Sequence, residues 1–327
     1  MAQVRIRPYA TLVASHLLVS CAFAQSAPAY PSKPVRWVVA FAAGGPVDVL
    51  SRAVAEKLAQ RWGQPVIIDN RSGAGGTLGA DLVAKAAPDG YTLMTGHVGT
   101  HAINATLYRS LPYDPVRDFT PVTLIAYMPF VLLTHPAVPA NNAKELIALA
   151  KARPGQLNYA SAGNGGPTHL IPELFKTMAG IKIVHVSYKG NTAALTDLVA
   201  GQVQMMFSNL LTSMPFVRIG KLRAIGISTA KRSPQVPLLP SIAESGLPGF
   251  DVKAWYGVLA PAGLPKSLLA RLNAEIAQTL ALPDMQARFV PQGIDLASST
   301  SEHFAELIES EAVRWRKIVN DAGAVPE

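Results

Sequence analysis

Twice along this chain, an apolar run that reads as a buried strand ends in small residues and passes straight into a helix. That alternation constrains the fold more than any other feature. The first instance is Val35-Arg36-Trp37-Val38-Val39-Ala40-Phe41, followed by Ala42-Ala43-Gly44-Gly45-Pro46 and a helix with Val47, Leu50, Val54 and Leu58 at spacings of three and four. The second runs from a strand over 157–161, through Ala162-Gly163-Asn164-Gly165-Gly166-Pro167, into a helix from Thr168 to about residue 178. Small residues let the backbone turn sharply and leave its N–H groups uncovered. Pro46 suits the first helical position and Asp48 the first turn. Free N–H groups and a helix dipole pointing the same way make an anion site. An ordinary turn without a ligand is the competing reading of either stretch taken alone.

The remaining segments follow the same rhythm. Residues 65–69 read as a strand, Asn70 to Gly76 as a glycine-rich loop, 77–86 as a helix and 91–95 as a strand after the Pro88-Asp89-Gly90 turn. The apolar stretch 121–134, broken by Pro129, reads as strands passing into a second lobe. Asn142 with Glu145 three residues on opens a helix to about residue 152. Strands over 183–187, 203–207 and 222–228 alternate with helices over 192–200 and 214–219. A strand over 255–260 returns to the first lobe. Helices over 265–281 and 283–289 and a long one from Ser299, with Glu302, to residue 319 close the chain. The pattern predicts an α/β fold of two similar lobes, with residues 30–128 and 256–327 in lobe 1 and 129–255 in lobe 2. Parallel, doubly wound sheets are expected, and a ligand cleft where loops at strand C-termini face one another.

Composition narrows the setting. A hydrophobic content of 49% with only 15% charged residues supports sizeable cores and argues against disorder. Residues 1–24 read as a secretory signal: Arg5 and Arg7, a short apolar core, then Ala22-Phe23-Ala24 as a small-x-small cleavage site. Leu18-Val19-Ser20-Cys21 also fits a lipoprotein signal, but cleavage after Ala24 is favoured, which makes the mature chain an exported protein without a cysteine. The net charge is +8; removing Arg5 and Arg7 lowers it to +6. No basic run or aromatic–basic ladder points to nucleic acid.

Several catalytic readings are weak. Gly73-Ala74-Gly75-Gly76 lacks the dinucleotide spacing because position 78 is Leu, and no P-loop occurs, so no cofactor is expected. Tyr159-Ala160-Ser161-Ala162-Gly163 resembles a nucleophile elbow lacking its first glycine, which keeps a serine hydrolase using Ser161 as a rival. His97 and His101 have a metal-compatible spacing only if helical, and Gly99 lies between them; cleft-edge polar residues are the preferred reading, with no metal. His169, at a helix start, reads as a cap or a ligand contact. The two small-residue loops could instead grip one carboxylate from both sides. Each helix end contributes up to ~2 kcal/mol, so two reach only roughly millimolar affinity. Charge-assisted N–H bonds at ~1.5–3 kcal/mol each would supply the rest if the lobes close and exclude water.

Phe41-Ala42-Ala43-Gly44-Gly45-Pro46-Val47-Asp48 resembles the start of the Bug family, the extracytoplasmic solute receptors of tripartite tricarboxylate transporters. So do Asn70-Arg71-Ser72-Gly73-Ala74-Gly75-Gly76, Pro88-Asp89-Gly90-Tyr91-Thr92-Leu93 and Gly99-Thr100-His101-Ala102-Ile103-Asn104. Leu111-Pro112-Tyr113-Asp114-Pro115, Tyr188-Lys189-Gly190, Gly220-Lys221-Leu222-Arg223-Ala224 and Ala260-Pro261-Ala262-Gly263 extend the match over nearly the whole mature chain. The resemblance implies a type II periplasmic-binding fold, a monomer that closes on a small carboxylate and hands it to membrane permease subunits; a receptor signalling to a sensor is the variant reading. It implies that Ala42, Ala43, Gly44 and Gly45 hold the carboxylate together with Gly163, Asn164, Gly165, Gly166, Pro167 and Thr168. His169, Ser208, Asn209, His97, Thr100 and Tyr188 are further ligand-contact candidates. Where the family often has Thr or Ser this chain has Val47, and where it often has Asp this chain has Ser208, so a di- or aromatic carboxylate is expected over an amino acid.

Overall fold

The computed structural model describes residues 30–324, together with residue 2; the signal segment and Cys21 lie outside the described residues. The chain begins β1 (Val35–Val39), α1 (Pro46–Trp62), β2 (Val66–Asn70), α2 (Thr77–Ala84) and β3 (Thr92–His97). A wide π-type turn over Gly99–Ile103 then leads into the short α3 (Asn104–Leu107) and the long β4 (Phe119–Thr134). Next come α4 (Ala143–Ala152), β5 (Asn158–Ser161), α5 (Pro167–Ala179), β6 (Val184–Ser187), α6 (Asn191–Val199), β7 (Met205–Asn209), α7 (Leu210–Arg218) and β8 (Arg223–Ile227). The last part comprises β9 (Lys253–Pro261), α8 (Lys266–Leu280), α9 (Pro283–Phe289), β10 (Asp295–Leu296) and α10 (Ser301–Ala322).

The strands form one path, β2-β1-β3-β9-β4-β7-β5-β6, with β8 and β10 also paired to β4. Its two ends are parallel, β2-β1-β3 and β7-β5-β6, as the strand–helix alternation requires. Its middle is not: β9 runs antiparallel to both β3 and β4, and β4 runs antiparallel to β7 and β8. The strand–helix alternation thus gives parallel ends, and the antiparallel centre, β4 and β9, is where the expected crossing strands join the two α/β parts. Pro129 does not break β4. It is the last residue paired with β9, opposite Lys253, and from Phe130 onward β4 pairs with β7. A residue without an N–H is tolerated at such a change of partner.

Local signals explain most helix boundaries. Pro46 and Pro167 occupy the first turns of α1 and α5, and Gly63 and Gly180 end these helices in the left-handed conformation. Asn142 caps α4 by accepting from the Glu145 N–H. Two starts differ from expectation. The α10 cap is Thr300, which accepts from the His303 N–H, whereas the Ser299 hydroxyl accepts from the Leu124 N–H. Helix α7 begins at Leu210 instead of near 214 because Asn209 caps it through Thr212. Trp37, Leu132, Trp255 and Phe304 lie fully or almost fully buried in the main core, and Val131, Leu195 and Met206 belong to a second cluster. Helix α10 packs on β4, the π-type turn and α5.

Candidate functional site

The first loop leaves β1 at Phe41 and is held by a buried carboxylate. Asp48, 2% exposed, accepts from the Gly44 N–H (2.9 Å), Arg52 Nε (2.9 Å) and Asn70 Nδ2 (2.9 Å). Asn70 Nδ2 also donates to the Phe41 carbonyl, and Arg52 donates to Asn70 Oδ1. Burial alone would raise the Asp48 carboxyl; the bonds from Arg52, Gly44 and Asn70 outweigh it and hold the group ionised below its usual range. Gly44 adopts φ +83°, which a glycine takes without strain. Its N–H is committed to Asp48, so the loop's remaining N–H groups and the start of α1, before the first rung from Val49 to Gly45, are what it presents outward.

The second loop is braced from below. The Ala162 N–H is donated to Thr168 Oγ1 and the Gly165 N–H to His169 Nδ1 (3.0 Å). The His169 ring stacks on His185 with centroids 3.9 Å apart, and His185 Nε2 lies 2.6 Å from the buried Ser161 hydroxyl. Burial pulls both imidazoles down, His185 to about 4, so the pair is neutral under the loop. Gly165 has φ +73°, and a Cβ there would lie 2.3 Å from the Leu107 side chain, so this loop comes up against α3 at a point where only glycine fits.

Both loops border one cavity of about 400 Å³. Phe41 and Pro46 come from the first loop, and Ala162, Gly163, Asn164 and Gly166 to Thr168 from the second. His97, Val98, Phe130, Asn209, Ala254 and Tyr256 complete the wall. The sequence-predicted His97, Asn209, Gly163, Asn164, Gly166, Pro167 and Thr168 thus meet at one place. Ala42, Ala43, Gly44 and Gly45 lie between two lining residues, while Gly165 and His169 support the loop from behind. Thr100 is buried with its hydroxyl bonded to the His97 carbonyl and 2.8 Å from His101 Nδ1. Ser208 is buried beside Asn191, and the Tyr188 hydroxyl donates to Asp197, so none of these three lines the cavity. His97 ends β3 and His101 sits in the π-type turn, a placement that does not give the helical i, i+4 spacing of a metal pair.

Sequence reasoning missed the apolar walls, Val98, Phe130, Ala254 and Tyr256, and the Asp48–Asn70 brace. Phe130, Ala254 and Tyr256 lie on the crossing strands β4 and β9, where an apolar residue looks the same whether it faces core or cleft. His97 stacks on Phe41 (4.4 Å, 22° between planes) and meets Tyr256 edge-on (6.2 Å, 86°). Burial lowers His97 to about 4 and pushes Tyr256 well up, so both are uncharged at neutral pH.

With this geometry in place, comparison with known proteins is informative. The family profile described as "Tripartite tricarboxylate transporter family receptor" (TctC) matches residues 50–324. The "UPF0065 protein in tcbD-tcbE intergenic region" of Pseudomonas sp. (strain P51) is 40% identical over 308 residues, 94% of this chain and 91% of that protein. The solved structure "R. palustris Rpa4515 with adipate" is 38% identical with a TM-score of 0.82, covering 91% of this chain and all of the other (100%). "MatC (Rpa3494) from Rhodopseudomonas palustris with bound malate" is 38% identical with a TM-score of 0.76, covering 89% and 100%. These are binding proteins and not enzymes, which removes the hydrolase reading of Ser161 even though His185 stands beside it. The two-lobe α/β architecture, the paired loops and the match along most of the chain lead to one conclusion: this chain belongs to the tripartite tricarboxylate transporter receptor family.

Proposed function

We propose that the chain is a periplasmic receptor that captures a small organic carboxylate, dicarboxylic or aromatic, between two lobes and delivers it to the permease of a tripartite transporter. The lobes are assigned as residues 30–128 with 256–327, and 129–255. The observation that carries the reading is that two helix N-termini, those of α1 and α5, border the same cavity. The adipate and malate held by the two solved relatives support it. One helix end is too weak for micromolar capture; two ends with charge-assisted N–H bonds in a closed, dry cleft reach that range. No acidic side chain is among the described residues lining the cavity, so a ligand amine finds no partner and amino acids bind poorly. Calorimetry on the mature protein tests this. A small carboxylate is expected to bind with a Kd on the order of micromolar, with a fall in radius of gyration by solution scattering as the lobes close. Tight binding of aspartate or glutamate, or no binding of any carboxylate, would sink the proposal.

A further inference from the structure

We infer that His169 is a positioning residue of the carboxylate grip: its ring nitrogen holds Gly165 in the second loop as the Asp48 carboxylate holds Gly44 in the first, and it does so without adding a negative charge beside the ligand. The inference rests on the carboxylate-receptor reading and deepens it. The two loops are built to one plan. Each runs Gly-Gly-Pro into its helix, Gly44-Gly45-Pro46 and Gly165-Gly166-Pro167. The first glycine of each is left-handed, with φ +83° and +73°. The second is the helix N-cap in nearly the same extended conformation, φ −75° and ψ 167° in one loop, φ −80° and ψ 171° in the other. In both, the first glycine donates its N–H to the side chain four residues on: Gly44 to Asp48 Oδ2 at 2.9 Å, and Gly165 to His169 Nδ1 at 3.0 Å. Each acceptor is the third residue of its helix and reaches back to the loop. Tying the first glycine down sets the direction from which the helix start meets the cavity.

The two acceptors differ in charge, and their surroundings differ to match. One turn beyond Asp48 stands Arg52, which donates to it. One turn beyond His169 stands Glu173, which accepts from the Tyr159 hydroxyl and pairs with Lys176. The His185 ring lies on the face of the His169 ring, and the Tyr159 ring is 6.4 Å away. Lys176, which also acts on the imidazole, is already taken up by Glu173. A carboxylate at position 169 would therefore be a buried anion with Glu173 beside it and no counterpart of Arg52, and it would repel a ligand carboxylate. A neutral imidazole accepts the same bond without that charge, its proton then lying on Nε2. Burial favours this neutral form.

Three side chains of nearly one shape test the inference, because they differ in acceptor and charge alone. His169→Asn keeps a neutral acceptor, His169→Asp keeps an acceptor and adds charge, and His169→Leu has neither. The first readout is hydrogen exchange of the Gly165 amide by NMR, which needs no ligand. It is expected to be at least about tenfold faster in the Leu variant than in the Asn variant. The second is calorimetry at about pH 8, where a carboxylate is ionised. Adipate, malate and benzoate are tried on the unmodified mature protein, and the tightest of them is the probe. The Leu variant is expected to bind it at least about fivefold more weakly, with the Asn variant recovering to within about threefold of the unmodified protein. The Asp variant is expected to fall at least about fivefold below the Asn variant. Equal Gly165 exchange, or equal affinity, in the Leu and Asn variants reduces His169 to packing and overturns the inference. Equal affinity of the Asp and Asn variants overturns the part played by charge. If none of the three acids binds, the receptor reading fails, and Gly165 exchange still decides whether His169 holds the loop.

Discussion

Asp48 sets the first loop: one buried carboxylate ties together Gly44, Arg52 and Asn70, and through Asn70 the backbone of Phe41. Charge-assisted bonds are the stronger kind, and removing an acceptor leaves its donors stranded. We expect Asp48→Ala to destabilise the protein by about 2–3 kcal/mol in urea denaturation and to weaken ligand binding at least tenfold in calorimetry; unchanged affinity would show that the brace does not shape the site. In the sequence Asp48 is legible only as an acidic residue in a helix's first turn. Its partner Asn70 is 22 residues away at the end of β2, and nothing local announces that the two meet. His185 is hidden in the same way: it becomes relevant only because β6 lies beside β5 and brings its ring to Ser161.

At the scale of elements, what could be read in advance was what short-range chemistry decides. Pro46, Pro167 and the Asn142–Glu145 pair each mark a helix start within one turn of sequence. Asn209 and Thr300 work by the same rule, but each is adjacent to a competing signal, a strand end or Ser299, and only the folded chain shows which residue caps. The cavity walls on β4 and β9 were illegible because strand periodicity separates two faces without saying which one is wet. The caps also provide a comparison. Asn142→Ala and Asn209→Ala should each cost about 1 kcal/mol of stability. Only Asn209→Ala, at a residue that lines the cavity, should also reduce affinity, and equal affinities for the two variants would remove Asn209 from the site.

For the whole molecule, the histidines govern acid sensitivity. Burial lowers His97 and His185 to about 4 and His101 to about 3, all below the unfolded value near 6.5. Between about 6.5 and 4 the unfolded chain therefore binds more protons than the native one, and stability falls as pH falls through that window. Above it the contribution is complete. Thermal melts should show a level Tm from about pH 7 upward and a progressive decline toward pH 4, sharper than the carboxylates alone produce. A Tm level down to pH 5 would contradict these shifts.

Strand β9 has a consequence for the order in which the protein is built. It fills the gap between β3 and β4, yet its residues, Lys253–Pro261, leave the ribosome more than a hundred residues after both neighbours. Until it arrives, β3 has no partner on that side and β4 lacks the strand that pairs its first half. Strands β1, β2 and β3, and likewise β5, β6 and β7, are by contrast close in sequence and can zip together early. The two parallel ends of the sheet are thus the first to consolidate, and the centre, filled by β9, is the last to close.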